Sequence, residues 1–161
     1  MKRHWAAIAA LLIGTGCAAC GAALQSLVAG PTVAQVAASI PPLAAGLARV
    51  WFLRQYEPSE SLRTPMMFVN GAPLASSVPG TALYRDFPPG AYTFSVETCT
   101  EDVNQDATLN LVPGMQTVLE VQSLSSFRSP ECPRNTTFYM RPIPPERAQF
   151  YYPQLTYLGA R

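Results

Sequence analysis

The sequence predicts an all-β protein, an antiparallel β-sandwich of about six to eight short strands. Sixteen prolines and ten glycines are spread along the 161 residues, and these residue types interrupt long helices. Short segments rich in β-branched and aromatic residues lie between them, as is typical of strands joined by turns. We expect a signal peptide at residues 1–20, an uncharged Ala/Pro-rich tether at residues 21–47 and one sandwich domain at residues 48–161.

The first twenty residues have the pattern of a bacterial export signal. Lys2 and Arg3 precede an uncharged apolar run, and small residues then lead to Cys17 and Cys20. The run is shorter than the ~20 apolar residues that cross a bilayer. It therefore predicts a helical signal that is removed after export, rather than a transmembrane helix.

The two cysteines make this signal similar to those of bacterial lipoproteins, in which a cysteine after small residues is acylated. The length of the apolar run favours Cys17 as the lipidation site. Lipidation of Cys20 would instead leave Cys99 and Cys132 as the only other pair. The alternative is an ordinary secretory signal cut near residues 21–23, which would leave a soluble periplasmic protein.

Composition excludes several functional classes for the chain that follows the signal. Lys2 is the only lysine and His4 is the only histidine. Nine arginines then face ten carboxylates, a formal charge of −1, without the basic cluster that nucleic-acid binding requires. Serine and cysteine hydrolases usually need a histidine or lysine base. Paired carboxylates could still support glycoside hydrolysis and are the remaining alternative, but we expect no catalytic residue, no cofactor and no enzyme activity.

The segment before the domain is predicted to be a tether that separates the domain from the membrane. It carries no formal charge up to Ala48 and is rich in Ala, Gly, Val and Pro. Residues 34–40 are predicted to form a brief helix, bounded by Pro31 and by Pro41 and Pro42. The alternative is that its apolar residues pack back along the sheet.

The first two strands are predicted at residues 48–55 and 66–69. Residues 48–55 are dense in β-branched and aromatic side chains, which predicts a strand buried on much of both faces. The second strand ends at Asn70-Gly71, a dipeptide that favours a type I′ hairpin because both residues tolerate positive φ.

The next two strands are predicted at residues 81–87 and 92–96. The turn between them contains Pro88-Pro89-Gly90, and this order of Pro and Gly suits a type II turn. Tyr92, Phe94 and Val96 alternate with polar residues, so one face of this strand should be part of the core.

The remaining elements follow the same reasoning. Leu109 and Leu111 indicate a strand, and Pro113-Gly114 repeats the Pro-Gly turn. Alternation over residues 117–122 and the composition of residues 136–140 predict two further strands. The last elements are a helical turn at residues 146–152 and a strand at residues 155–158.

Cys99 and Cys132 lie in predicted loops and are expected to form a disulfide in an oxidising compartment. The bond would close a loop of about 33 residues and stabilise the fold by roughly 3 to 4 kcal/mol. Two separate thiols are the alternative. A zinc site is disfavoured, because two cysteines without a histidine make a poor ligand set.

The region from Arg49 to Leu158 resembles a family of small bacterial lipoproteins catalogued as a domain of unknown function. The resemblance is carried by residues 48–54, the Val69-Asn70-Gly71 hairpin, the strand around Tyr84 and residues 89–96. Residues 89–96 are also similar to the Pro-Glu-Gly-Ala surface-layer modules, although the Glu is absent here. The family implies an envelope lipoprotein with a β-sandwich and implies no known chemistry.

Two groups of side chains could carry a site, and each has a simpler interpretation. The acidic cluster of Glu97, Glu101, Asp102 and Asp106 lacks the glycine and closing glutamate of a calcium loop, so we interpret it as a solvated loop and predict no metal site. Tyr151, Tyr152 and Tyr157 are candidates for a ligand platform, with core and rim packing as the simpler interpretation. Arg49 and Arg54 flank the first strand and could pair with carboxylates on neighbouring elements or face lipid headgroups, and solvation at the surface is the simpler interpretation.

The expected function is a structural or binding role in the cell envelope. The membrane is the expected partner, bound through the N-terminal lipid. The residue after Cys17 is Ala18, and the residue after Cys20 is Gly21. Neither is the aspartate that retains lipoproteins in the inner membrane of enteric bacteria, so the periplasmic face of the outer membrane is favoured. Alternatives are a periplasmic carbohydrate-binding module and an accessory lipoprotein of a secretion or surface assembly. The partner is then a glycan or another envelope protein, and no nucleic acid is expected.

Overall fold

A computed structural model describes residues 28–123, 132 and 136–161 of the chain. The predicted signal, with Cys17 and Cys20, and residues 21–27 of the predicted tether lie outside this described part. The strands are β1 (Ala48–Arg54), β2 (Met66–Val69), β3 (Ala72–Ser76), β4 (Thr81–Phe87), β5 (Gly90–Val96), β6 (Ala107–Leu111), β7 (Gln116–Ser123), β8 (Phe138–Ile143) and β9 (Thr156–Ala160). The helices are α1 (Val33–Val36), continued by a 3-10 turn at Ala37–Ser39, and α2 (Pro145–Tyr151).

The strands form two sheets, which confirms the all-β prediction. One sheet has five strands in the order β8-β7-β1-β4-β9, and the other has four in the order β3-β2-β5-β6. The prediction of an antiparallel fold is wrong for the larger sheet, since β1 pairs parallel with β7 and β4 pairs parallel with β9. The amide N–H of Gly114 donates to Leu47 and that of Arg49 to Met115, so β1 and β7 begin at the same end of the sheet.

The described residues contain nine strands, one more than the predicted range. The additional strand is β3, whose Pro73 and small residues have low β-propensity. It forms because Asn70 and Gly71 both have positive φ, 48° and 78°, which confirms the hairpin and returns the chain alongside β2.

The two Pro-Gly turns differ from each other. Gly114 has φ of 79° and Met115 N–H donates to the Val112 carbonyl at 3.0 Å, as a type II turn requires. Gly90 has φ of 153°, far from the ~80° of that turn. The type II prediction is therefore wrong at residues 88–90, where Gly90 already belongs to β5.

The main core lies between the two sheets. The alternating face of β5 is part of this core, with Phe94 fully buried and Val96 buried, as the sequence pattern predicted. Phe94 packs against Phe52 of the opposite sheet with ring centroids 5.6 Å apart. The other core residues are Ala48, Val50, Met67, Val69, Leu83, Phe87, Ala107, Leu111, Leu119, Val121, Phe138 and Met140.

A second apolar layer covers the outer face of the five-stranded sheet. Trp51, Leu53 and Tyr84 point into it together with Val33 and Ala148 from the two helices. All seven residues of β1 are consequently buried, which confirms the prediction of a strand buried on both faces.

The tether prediction is wrong for residues 31–40, which pack against the domain. Val33 is buried, its amide N–H donates to the Leu155 carbonyl, and Tyr157 N–H donates to the Pro31 carbonyl. The predicted brief helix is present, and its first turn is capped by Thr32 and Gln35. The segment folds back because its apolar side chains cover the outer face of the sheet, where they are shielded from water.

The disulfide between Cys99 and Cys132 is formed, with an S–S distance of 2.02 Å. It connects the chain that leaves β5 to the chain that approaches β8. The amide N–H of Cys99 also donates to the Thr136 carbonyl, so a hydrogen bond and the disulfide both join the chain that follows β5 of one sheet to the chain that precedes β8 of the other.

Candidate functional site

A groove on the outer face of the five-stranded sheet is a candidate binding site. It has a volume of about 490 Å³ and lies between residues 33–43 and helix α2. Trp51 and Val118 form part of its floor, and Ile40 and Tyr152 belong to its two walls. We call this cavity the Trp51 groove. Its size is within the range of small-molecule sites in proteins.

The walls of the Trp51 groove are positioned by short-range signals in the sequence. Thr32 caps α1 by accepting from Gln35 N–H at 3.3 Å, while Gln35 Oε1 accepts from Thr32 N–H at 2.8 Å, a capping box that fixes where the helix begins. Helix α2 starts at Pro145, whose ring suits the first helical turn. Ala148 of α2 is fully buried against the sheet.

Arg49 connects the floor of the groove to its N-terminal wall. Its Nε and Nη2 donate to the two carboxylate oxygens of Asp86 at 2.7 and 2.8 Å, and its Nη1 donates to the Pro41 carbonyl at 2.8 Å. The guanidinium also lies 4.1 Å from the centre of the Tyr84 ring. Hydrogen bonding to Asp86 raises the pKa of Arg49. The simpler interpretation of Arg49 as a solvated side chain is wrong, and the alternative of pairing with a neighbouring carboxylate is the one observed.

Replacement of Arg49 by Gln is expected to destabilise the protein by about 2 to 3 kcal/mol, because it leaves Asp86 without its bidentate partner. It should also speed hydrogen exchange at residues 31–47, which lose the bond at Pro41. Urea unfolding and hydrogen-exchange mass spectrometry measure both effects. Arg85→Gln is the matched control, since Arg85 is an exposed arginine on the same strand as Asp86. Equal effects of the two variants would contradict this role.

Aromatic rings surround Trp51. The ring centroid of Trp51 is 5.1 Å from Tyr84, 5.9 Å from Tyr152 and 6.3 Å from Tyr157. Burial raises the pKa of Tyr152 and Tyr157. The cluster is therefore a packed layer with one open side at the groove.

The three tyrosines of the predicted platform have different surroundings. Tyr152 lines the Trp51 groove, whereas Tyr157 lies against Tyr84 with nearly parallel rings, 6.3 Å apart. Tyr151 lines a smaller pocket with Gln55, and its hydroxyl accepts from Arg147 Nε at 3.0 Å. The sequence did not identify Trp51 as a groove residue, because its position in a strand buried on both faces indicates only core packing.

Two of the four carboxylates of the acidic cluster, Glu97 and Asp102, accept hydrogen bonds from other segments. Glu97 accepts from Met66 N–H at 3.1 Å. Asp102 accepts from the Tyr139 hydroxyl at 2.6 Å, and this bond lowers the pKa of Asp102 and raises that of Tyr139. Within residues 28–123, 132 and 136–161, no three Asp, Glu, Cys or His side chains are grouped so that they could hold a metal ion.

Arg54 forms a buried polar centre that the sequence analysis missed. Its guanidinium donates to the carbonyls of Ser61, Arg63 and Ser77, and the residue is only 2% exposed. Desolvation lowers the pKa of Arg54 to about 10, partly offset by the charge of Glu60. Arg54 therefore remains charged at neutral pH, and the prediction of a solvated side chain is wrong.

Two carboxylates lie near Arg54 in the same region. Glu120 is 1% exposed and accepts hydrogen bonds from the side-chain amides of Gln55 and Gln122. Glu60 accepts from both the amide N–H and the hydroxyl of Ser123 at 3.3 Å. Desolvation raises the pKa of Glu60, and the nearby Glu120 adds to this, whereas Ser123 and Arg54 oppose it.

The raised pKa of Glu60 predicts a gain in stability on mild acidification. The folded protein binds a proton at the Glu60 carboxylate more tightly than the unfolded chain does. The free energy of unfolding therefore rises as pH falls through the raised pKa of the folded state, and it levels off below about 4.5, the ordinary pKa of the unfolded glutamate. Urea unfolding of wild type and Glu60→Gln between pH 7 and 5 measures the difference. The substituted amide would still accept from Ser123, so parallel pH profiles of the two proteins would contradict the prediction.

Comparison of the chain with protein-family models, with curated proteins and with solved structures gave no match. The resemblance to the lipoprotein family of unknown function therefore stays a prediction. None of the helices in the described residues has the length and hydropathy needed to cross a membrane.

Proposed function

We propose that this chain is a bacterial envelope lipoprotein whose sandwich has a structural or binding role without catalysis. The observation that carries the proposal is the Cys99–Cys132 disulfide. Disulfides persist in oxidising compartments such as the periplasm, which is where the N-terminal signal pattern would send the chain. The lipid-anchor sequence and the disulfide, located far apart in the chain, thus indicate the same compartment.

The Trp51 groove supports a binding role. Its charged floor residue, Arg49, already uses its guanidinium on Asp86 and Pro41. The other lining groups include aromatic rings, apolar side chains and the exposed amides of Gln116 and Gln149. Such groups hold a ligand by contact and hydrogen bonding.

Placement at the outer membrane is part of the proposal. Ala18 follows Cys17 and Gly21 follows Cys20, and neither is the aspartate that retains lipoproteins in the inner membrane of enteric bacteria. The domain would then face the periplasm. Its N-terminal lipid would hold it to the membrane, and its ligand would be a glycan or another envelope protein.

An accessory role in a secretion or surface assembly is the second candidate. Strand β6 is an edge strand of the four-stranded sheet, and its sequence, Ala-Thr-Leu-Asn-Leu, carries no charge. Edge strands are usually protected by charged residues or proline, so an uncharged edge is suited to pairing with a partner strand. Crosslinking in intact cells that recovers only the monomer would count against this candidate.

Metabolic labelling with an alkyne analogue of palmitate tests the anchor. Wild type is expected to incorporate the label, and one of the variants Cys17→Ser and Cys20→Ser should lose it while the other retains it. Cys132→Ser is the matched control and should label like wild type. Absence of label from the wild-type protein would overturn the anchored form of the proposal.

A further inference from the structure

We propose that the Trp51 groove binds an uncharged saccharide. The inference rests on the binding role proposed above and specifies its ligand. Its first support is Trp51 itself, which is 8% exposed. Among the described residues its indole N–H donates no hydrogen bond, and the N–H is not enclosed by protein. It is therefore free to donate to a ligand hydroxyl in the groove, because the polar tip of tryptophan is suited to such a contact.

The aromatic surface of the groove is the second support. The rings of Trp51 and Tyr152 are 5.9 Å apart and inclined by 38°. A pyranose ring has apolar C–H faces and polar edges, so it can lie against the partly exposed Tyr152 and the small exposed part of Trp51 while its hydroxyls remain free to form hydrogen bonds. Tyr and Trp provide this combination of apolar area and a polar tip.

Two amide side chains supply the polar contacts. Gln116 and Gln149 are exposed at the groove, and neither side chain forms a hydrogen bond with the described residues. A primary amide both donates and accepts, as a sugar hydroxyl does. The two glutamines belong to β7 and α2, so a ligand between them would be held from the floor and from one wall.

Charge and backbone geometry favour a saccharide over other ligands. The Asp86 carboxylate neutralises Arg49, and the groove lining includes no further charged residue among those described, so an ionic ligand would find no counter-ion. An extended peptide usually binds by pairing with a sheet edge. The floor strand β1 is instead central, with its backbone paired to β4 on one side and β7 on the other.

Fluorescence provides a direct test, because the chain has two tryptophans, Trp5 in the predicted signal and Trp51 in the groove. In the mature full-length protein Trp51 is therefore the reporter. Cellotriose, maltotriose and N,N′,N″-triacetylchitotriose, all uncharged, are titrated separately. We expect a saturable change in Trp51 emission with at least one of them, and Gln116→Ala and Gln149→Ala should each weaken the affinity by about tenfold.

Gln154→Ala is the matched control, since Gln154 is an exposed glutamine just beyond α2 that lines a different pocket. It should bind like wild type, and thermal melts should show all three variants folded. Absence of a saturable change with all three sugars, or equal binding by the groove variants and the control, would overturn the inference. Incorporation of the palmitate analogue does not depend on sugar binding. A labelled protein that binds none of the three sugars would therefore contradict this inference without contradicting the lipid anchor.

Discussion

Replacement of Arg54 by methionine is expected to lower the free energy of unfolding by about 3 to 5 kcal/mol, the largest single effect that we predict. Methionine retains most of the volume but removes the donors to the carbonyls of Ser61, Arg63 and Ser77. Each carbonyl left buried without a partner has a desolvation cost. Loss of the cation also leaves the half-buried Glu60 without its nearby positive charge.

Urea unfolding measures the effect, with Arg63→Met as the matched control. The side chain of Arg63 is exposed, and Arg63 lies in the loop after β1 whose carbonyls accept from Arg54. Its substitution should therefore change stability by no more than about 0.5 kcal/mol. Arg54→Lys should rescue only part of the loss, because a single ammonium cannot reproduce the planar set of guanidinium donors. A loss below about 1 kcal/mol for Arg54→Met would show that the loop carbonyls find other partners.

Removal of the Cys99–Cys132 bond is expected to cost roughly 3 to 4 kcal/mol. The two cysteines are 33 residues apart, and crosslinking a loop of this length reduces the entropy of the unfolded chain by about that amount. The native contacts around Cys99 remain, since its amide N–H donates to the Thr136 carbonyl independently of the sulfur. The main effect should therefore lie in the unfolded state.

The paired substitution Cys99→Ser with Cys132→Ser, compared with wild type in urea under oxidising conditions, measures this cost. Reduced wild type should unfold at nearly the same denaturant concentration as the double variant, and a reductant should leave the double variant unchanged. Full stability of the double variant would contradict the prediction. An effect of reductant on that variant would point to a further redox-sensitive group.

Most strands could be predicted from short sequence patterns, because alternation and turn dipeptides depend only on neighbouring residues. Alternation identified β5, and Asn70-Gly71 identified the hairpin. Strand β3 was missed because it is held by its partner β2 rather than by its own propensity. The parallel pairing of β1 with β7 joins residues more than 60 positions apart. Sequence periodicity contains no information on such long-range pairing.

The candidate site was harder to predict, because it depends on segments distant in sequence. Charged residues are usually exposed, so the sequence alone favours solvation over ion pairing for Arg49 and Arg54. A signal did exist for Arg49: the residues at positions 50–53 that follow it are all apolar, and Asp86 is the acidic residue of β4 directly opposite it. Cross-strand pairs of opposite charge stabilise sheets. The register that brings them together was visible only in the structure.

The most direct test of the central claim is the intact mass of the detergent-extracted protein from its native host, before and after reduction with alkylation. Export, acylation and disulfide formation are determined in the same measurement. We predict a diacylated or triacylated chain that begins at Cys17 or Cys20, with Cys99 and Cys132 alkylated only after reduction. An unacylated chain, or one in which these two thiols react before reduction, would contradict a lipid-anchored protein with an oxidised sandwich domain.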